Sequence, residues 1–468
     1  MSRKGYRSHT RISSAAALRY APLALALGFA ISSHASNIVV DSPDAISEVG
    51  KCTIVDAVAA LNTQAAVNGC IAGDGNNDTI DLTGFAVPTT ISLTQAAPSS
   101  GYALPLLNKA TFRGALGNGT PLVTIERSTV TGTANFGLIQ SNYALALYGL
   151  TLTNGASGTY VGGAVVAGGT LTIGNCVISN NTSDSAGGGI AASGALTIDH
   201  SIITGNTAGN AGGGIEAGAT TSVYDSLISN NMTLSSTGSG GGGVFASSTF
   251  RAHNTTFSGN TSASGGGAIF GSAAVNLNDS TINGNKAQNG PGGGIGGDSI
   301  NLSESTVTGN SATGAGGAVQ ADMFTATYST IAQNSSTSMS GGGADFTSGA
   351  DAQGSILYGN TPDDLSTSST LALGGNLNLV GTSAVATPSD TISCNPMLAT
   401  LANNGGPTLT MALQTGSCAI DAAASTPSDT SDQRGFSRPA IVSTNADIGA
   451  YEFGASDPDK IFADGFDG

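Results

Sequence analysis

The sequence predicts an all-β fold, a right-handed single-stranded parallel β-helix with rungs of about 25 residues, and three observations predict it. An asparagine recurs at Asn181, Asn206, Asn231, Asn260, Asn285, Asn310, Asn334 and Asn360, at intervals of 24 to 29 residues. Three positions before each stands an apolar side chain: Ile178, Ile203, Ile228, Phe257, Ile282, Val307, Ile331 and Leu357. Five before it stands a small one: Cys176, Ser201, Ser226, Thr255, Ser280, Ser305, Ser329 and Ser355. A separation of two puts both on the same face of a strand, so they point inward together.

A glycine cluster then opens a second strand, as in Gly187-Gly188-Gly189-Ile190 and Gly292-Gly293-Gly294-Ile295, and segments such as Ala195-Leu196-Thr197-Ile198 read as a third. Three short strands and three bends make one turn. None is long enough to hold itself, but in a coil each backbone donor and acceptor pairs with the rung above or below, about 4.8 Å away. Like side chains then stack, which explains the constant size of each slot. Asparagine tolerates left-handed dihedrals and can hydrogen-bond along its own column. Glycine fits bends where a Cβ would clash.

Competing architectures fail on period. Propeller blades need about 40 to 50 residues, and the 69 glycines cluster instead of falling every third residue as a collagen-like helix requires. Disorder, the default for a Gly/Ser-rich chain, is opposed by aliphatic residues that recur on a fixed period.

At the start, Arg3, Lys4, Arg7, Arg11 and Arg19 precede an apolar run from Ala21 to Ile31 and the small residues Ser33-His34-Ala35, the pattern of a secretory leader ending near residue 35. The apolar run is shorter than the ~20 residues that span a bilayer. Residues 36–81 read as an N-terminal strand and a capping helix over Thr53 to Ala66, with Ile54, Val58 and Leu61 on one face. Rungs then fill 82–384, a closing module 385–454, and a polar tail 455–468. Export permits disulfides, and proximity suggests Cys52–Cys70 and Cys394–Cys418. Cys176 is left over, in a buried slot otherwise held by Ser or Thr.

Beyond the leader nine basic residues face 30 acidic ones. Such a charge repels a phosphate backbone, which excludes nucleic acid as a partner, and no later segment reads as membrane-spanning. A cell-surface or extracellular polysaccharide or protein is the expected partner. No cofactor is expected, although the loop carrying Asp74, Asn76 and Asp78 offers oxygens of the kind that hold Ca²⁺; an ordinary turn is the competing reading.

The two ends carry a resemblance. Cys52-Thr53-Ile54-Val55-Asp56-Ala57-Val58 looks like the Cys-Ser-Leu-Arg-Glu-Ala-Ile opening of exported bacterial β-helix proteins, with Val55 and Asp56 at the Arg and Glu positions. Asn404-Gly405-Gly406-Pro407-Thr408, then Ala419-Ile420-Asp421, Asp432-Gln433-Arg434-Gly435 and Asp447-Ile448-Gly449-Ala450-Tyr451-Glu452, are similar to the closing module of choice-of-anchor Q domain proteins. The central Gly-Gly-Gly-Ile and Ser-x-Ile-x-x-Asn units resemble polymorphic outer-membrane protein repeats. The likeness implies a pectin-lyase-like solenoid, export from a Gram-negative cell and a surface location, with no set catalytic activity.

The expected function is therefore an adhesin-like or carbohydrate-contacting surface module, and the alternative is a secreted polysaccharide lyase or glycoside hydrolase. Lyase chemistry wants Lys or Arg beside carboxylates, yet Lys109, Arg113, Arg127, Arg251 and Lys286 share no slot with clustered aspartates. A hydrolase needs two carboxylates across a groove. Asp199, Asp225, Asp279 and Glu304, at similar repeat offsets, are the candidates, with a solvated acidic stripe as the plainer reading; Glu216 is a further candidate on neighbouring rungs. His200 and His253 read as exposed strand neighbours. Arg434 and Arg438, with Asp432, Asp447 and Glu452, are expected to form ion pairs that lock the closing module onto the coil.

Overall fold

The computed structural model describes residues 35–338, 340–367, 372–423, 430–441 and 443–455. The leader through residue 34 and the tail from residue 456 lie outside them. The chain coils as a right-handed parallel β-helix. Each strand pairs in parallel with its counterpart one rung on: Ile203 sits between Ile178 and Ile228 in register. Three stacked ladders result, of 20, 12 and 7 strands.

A rung has one more segment than the sequence suggests. Ile190–Ala192 and Leu196–Asp199 both belong to the largest sheet, Ile202–Thr204 to the second and Thr207–Ala208 to the third. The fourth segment is two small residues after the anchor asparagine, too short to show any alternation. From Ile269–Asn278 to Ala344–Gln353 the first two segments fuse into one long strand, and they part again as Leu365–Thr367 and Leu373–Asn376.

The inward apolar column is fully enclosed from Ile178 to Leu357. Beside it the small slot forms a second ladder, in which the Cys176 N–H donates to Ser201 Oγ at 3.1 Å and the Ser201 N–H to Ser226 Oγ at 3.0 Å. Burial pushes the Cys176 thiol up to about 12, as an inert slot-filler requires. The anchor asparagines form a third ladder. Asn206 Nδ2 donates to Asn231 Oδ1 at 2.9 Å and to the Ile178 carbonyl at 2.9 Å, and the column ends on Asp364 Oδ1, 2.7 Å from Asn360 Nδ2.

The left-handed backbone does not fall on these anchors but on the residue before each: Asn180, Gly205, Asn230, Gly259, Gly284, Gly309, Gln333 and Gly359. Glycine is obligatory at a third bend. At Gly212, with φ 58°, an added Cβ would lie 2.1 Å from the Ile215 carbonyl oxygen.

At the N-terminal end the helix Ile54–Thr63 packs over the first rung. The Thr53 hydroxyl accepts the Asp56 N–H and donates to its carboxylate at 2.8 Å. The Ser47 hydroxyl and Asn68 amide complete the shell of buried Asp56, so this carboxylate is satisfied without an arginine. Cys52 is bonded to Cys70 and Cys394 to Cys418. The loop before the first rung closes on Asp78, whose buried carboxylate accepts the N–H groups of Ser36, Asp74 and Gly75. The loop carrying Asp74, Asn76 and Asp78 is thus a turn folded around a carboxylate engaged by backbone donors.

The closing module is not confined to the last turns. It folds back along the second sheet, where its segments meet Asp279, Thr281, Thr306, Thr330 and Gly354. The reason lies in the outward slot of that sheet. Ile202 is 39% exposed, whereas Thr281, Thr306, Thr330, Ile356 and Leu379 further along the same column are buried. A second apolar cluster of Tyr328, Ile356, Leu379, Leu413, Ala419 and Ile448 joins module to rod.

Candidate functional site

Each rung turns from the largest sheet into the second at one left-handed residue. In successive rungs this corner is Asn175, His200, Asp225, Asn254, Asp279, Glu304 and Tyr328, with φ between 43° and 52°. The other left-handed corner is glycine in five of its eight rungs. This one is glycine at Gly149 and Gly354 but carries a side chain in the seven rungs between them, although each non-glycine residue there is strained by about 1 kcal/mol or more. The column therefore projects polar groups outward at intervals of about 4.8 Å.

The column has two environments. Asn175, His200, Asp225 and Asn254 line a cleft of about 730 Å³ that runs along the second sheet. Its floor is the outward slot of that sheet, including Ile202, Leu227 and Thr256. One limit is Gly119, in the turn of the hairpin Leu116–Gly117 and Thr120–Pro121. Another is the module loop with Asn403 and Gly406 to Leu409. Among the described residues no lysine or arginine lines it.

His200 and Asp225 of the lining and the adjacent Asp199 bring one ligand-type atom each to within 4.8 Å of one another. His200 Nδ1 lies 2.9 Å from Asp199 Oδ1, and Asn254 Nδ2 donates to Asp225 Oδ1 at 3.1 Å. One rung further, His253 Nδ1 lies 3.1 Å from Asp279 Oδ2. His200 and its partner Asp199 are both about half exposed, and Asp225 is exposed. The trio is a donor set a divalent cation accepts, and equally a pair of carboxylates flanking an imidazole.

The four carboxylates named from the sequence thus separate. Asp225, Asp279 and Glu304 share the corner column; Asp199 is one position earlier, in register with Tyr224 and His253. Glu304 is no part of a solvated stripe: it is 4% exposed and 3.1 Å from Arg438 Nη2, because the module covers the column from there on. Glu216 lies on a different strand column between Ala191 and Phe245, where burial pushes its carboxyl up.

The module loop that limits the cleft is held from below by Gln433, which is wholly buried. Its Oε1 accepts from the Thr306 hydroxyl at 2.6 Å, and its Nε2 donates to Thr281 Oγ1, Thr408 Oγ1 and the Leu409 carbonyl at 2.9 to 3.1 Å. Arg434 lies between the rings of Phe436 and Tyr451, is paired with Asp432 at 2.6 Å, and donates to the Asn404 carbonyl. Arg438 faces Tyr328, pairs with Glu304 and Glu452, and donates to the Asp447 backbone carbonyl. The Asp447 carboxylate accepts the N–H groups of Asp421 and Phe453 and feels the charge of Arg438. Sequence reasoning found the charged residues of this clamp and missed Gln433, whose only signal was its place between Asp432 and Arg434.

Fold and site together define a class: a parallel β-helix with a polar cleft, free of lysine and arginine among the described residues, along one face. A Chlamydia polymorphic membrane protein repeat matches residues 254–272, which run from a corner asparagine through an anchor and a glycine bend to the next strand. No curated protein matches the chain. Among solved structures, the crystal structure of pectate lyase Pel9A is similar, with a TM-score of 0.39 and 13% identity over 90% of this chain and 97% of that one. Among the described residues no helix is long and apolar enough to cross a membrane.

Proposed function

We propose that the protein is exported and acts as a glycoside hydrolase on an extended polysaccharide held in the cleft of the corner column. The observation that carries this reading is the convergence of Asp199, His200 and Asp225 on two adjacent rungs, His200 and Asp225 lining the cleft and Asp199 standing beside them. Retaining glycosidases place two carboxyl groups about 5 to 5.5 Å apart, and the nearest oxygens of this pair lie within 4.8 Å. In this reading Asp199, steadied by His200, protonates the leaving oxygen, and Asp225, oriented by Asn254, attacks the anomeric carbon; water then releases the sugar. An apolar floor with a polar rim suits a sugar, which offers both C–H faces and hydroxyls. The rung spacing approximates the rise per residue of a stretched β-linked chain. The leader-like start and the closing segment's likeness to surface-anchored proteins support an extracellular location.

The solvent exposure of the trio favours a second reading, contact without cleavage, as in an adhesin. Incubating the protein with a polysaccharide panel and reading products by mass spectrometry separates the two. New reducing ends, lost in Asp225→Asn, are the expected result; binding without new ends would assign the cleft to adhesion.

A further inference from the structure

We infer that the fold selects Asn118 as a site of spontaneous chemical modification, the conversion of an asparagine to aspartate and isoaspartate in the turn that bounds the cleft. The sequence holds six Asn-Gly pairs, opening at Asn68, Asn118, Asn154, Asn283, Asn289 and Asn404. Each brings together a side-chain amide and a following backbone N–H that no Cβ shields. The glycine nitrogen gives its proton to solvent base and attacks the asparagine Cγ. The N–Cγ bond forms, the Cγ–Nδ2 bond breaks, and the amide nitrogen takes a proton from solvent and leaves as ammonia. Water then opens the five-membered imide at either carbonyl. No reagent but water is consumed, and both groups must be free to move.

The structure holds one or both groups at five of the six pairs. The Gly69 N–H donates to the Lys51 carbonyl at 3.0 Å, and Asn68 Nδ2 to Asp56 at 2.9 Å. The Gly155 N–H donates to Asn181 Oδ1, and Asn154 Nδ2 to Glu126. The Gly405 N–H donates to Asn403 Oδ1, and Asn404 Nδ2 to the Thr410 carbonyl. At the remaining two, the Gly284 N–H is held by the Thr308 carbonyl at 3.1 Å, and Asn289 Nδ2 by the Ala263 carbonyl at 2.8 Å. Asn118 and Gly119 differ. They form the two-residue turn between the paired Gly117 and Thr120, with φ of 50° and 81°. Both are exposed, and among the described residues neither the Asn118 side chain nor the Gly119 N–H has a hydrogen-bond acceptor. Beyond its chain neighbours, no heavy atom lies within 4 Å of the place a Gly119 Cβ would take. Gly119 lines the cleft, so the product sets a new carboxylate at its rim and, in the isoaspartate, an extra backbone methylene in the turn.

The test is ageing of the full chain in mildly alkaline buffer made with oxygen-18 water, followed by peptide mapping with fragmentation that distinguishes isoaspartate; a parallel sample is reduced and unfolded in urea. One hydrogen bond of ordinary strength lowers the reactive population several-fold, and two lower it about tenfold. In the folded chain Asn118 should therefore convert several-fold faster than Asn283 and Asn289, and about tenfold faster than Asn68, Asn154 and Asn404. In urea the six rates should converge. Asn118→Gln, whose longer side chain closes a six-membered ring far more slowly, should remove the folded-state signal; glutamine already takes the left-handed conformation at Gln64 and Gln333. Conversion of any other Asn-Gly pair as fast as Asn118 in the folded chain overturns the inference, as does an Asn118 that stays intact while the unfolded chain reacts. An equal lead for Asn118 in urea also overturns it, because local sequence and not the fold would then make the selection.

Discussion

Gln433→Leu removes the residue that fastens the module loop to the rod, and the cost can be worked from the contacts. The substitution preserves volume, so packing changes little. Of the groups Gln433 bonds, most keep another partner: Thr281 Oγ1 still donates to the Leu409 carbonyl, Thr408 Oγ1 to the Asp279 carbonyl, and the Ser280 carbonyl keeps the Thr306 N–H. The Thr306 hydroxyl, buried and donating to Gln433 Oε1, is stranded. One stranded donor at about 1 to 3 kcal/mol and several lost bonds of about 0.5 to 1 kcal/mol net give roughly 3 kcal/mol. The loss is local to the loop, so the readout is native-state hydrogen exchange at Ala402 and Thr410, whose amides pair with each other's carbonyls. Exchange there should quicken on the order of 100-fold. Adding Thr306→Val, which removes the stranded hydroxyl, should slow it again about tenfold. Unchanged exchange in the single variant, or faster exchange in the double, would refute the clamp.

Three further outcomes follow from the same contacts. Asn260→Ala cuts the anchor ladder on both sides, since Asn260 accepts from Asn231 and donates to Asn285 and the Ile228 carbonyl; a loss of about 3 to 5 kcal/mol in urea unfolding is expected, against less than about 1 kcal/mol for Asn254→Gly at a left-handed corner. Burial pushes the Glu452 carboxyl up to about 7 and the Asp447 carboxyl up to about 6, so the folded module holds protons that the unfolded chain releases near 4 to 4.5. Their contribution is full below about pH 4 and is lost as pH rises through 6 and 7; module stability should fall across that window, and Glu452→Gln should flatten the Glu452 part of the fall in pH-dependent exchange. Cys176→Ser should unfold within about 1 kcal/mol of the parent, because serine fills the same slot in the rungs from Ser201 onward, and the parent thiol should resist alkylation until the rod is denatured.

The solenoid was legible because stacking forces each slot to repeat. Ile203 reports Ile178 and Ile228, and Asn206 reports Asn181 and Asn231, so eight copies of one constraint stand in the chain. The cleft was only half legible. Asp225 and Asp279 could be placed at one offset, but which of them meets solvent depends on where the module lies, and that is set by contacts about 130 residues distant in sequence, such as Thr408 to Asp279 and Arg438 to Glu304. No periodic argument reaches that far. A signal was nonetheless present in the outward slot of the second sheet, where Thr281, Thr306, Thr330 and Ile356 form a run of threonine and isoleucine that a covering element can bury. His200 was read as a bystander because its companions Asp199 and Asp225 lie on two rungs and belong to two different columns.

The central claim, that the corner column between Asn175 and the module loop is the working surface, is tested most directly by hydrogen exchange of the full chain with and without a saturating oligosaccharide that the panel shows to bind. The account predicts protection confined to peptides covering 200–203, 225–228, 254–258 and 403–409, absent in Asp225→Asn. Protection on the opposite sheet, around Phe245 and Phe270, would contradict it.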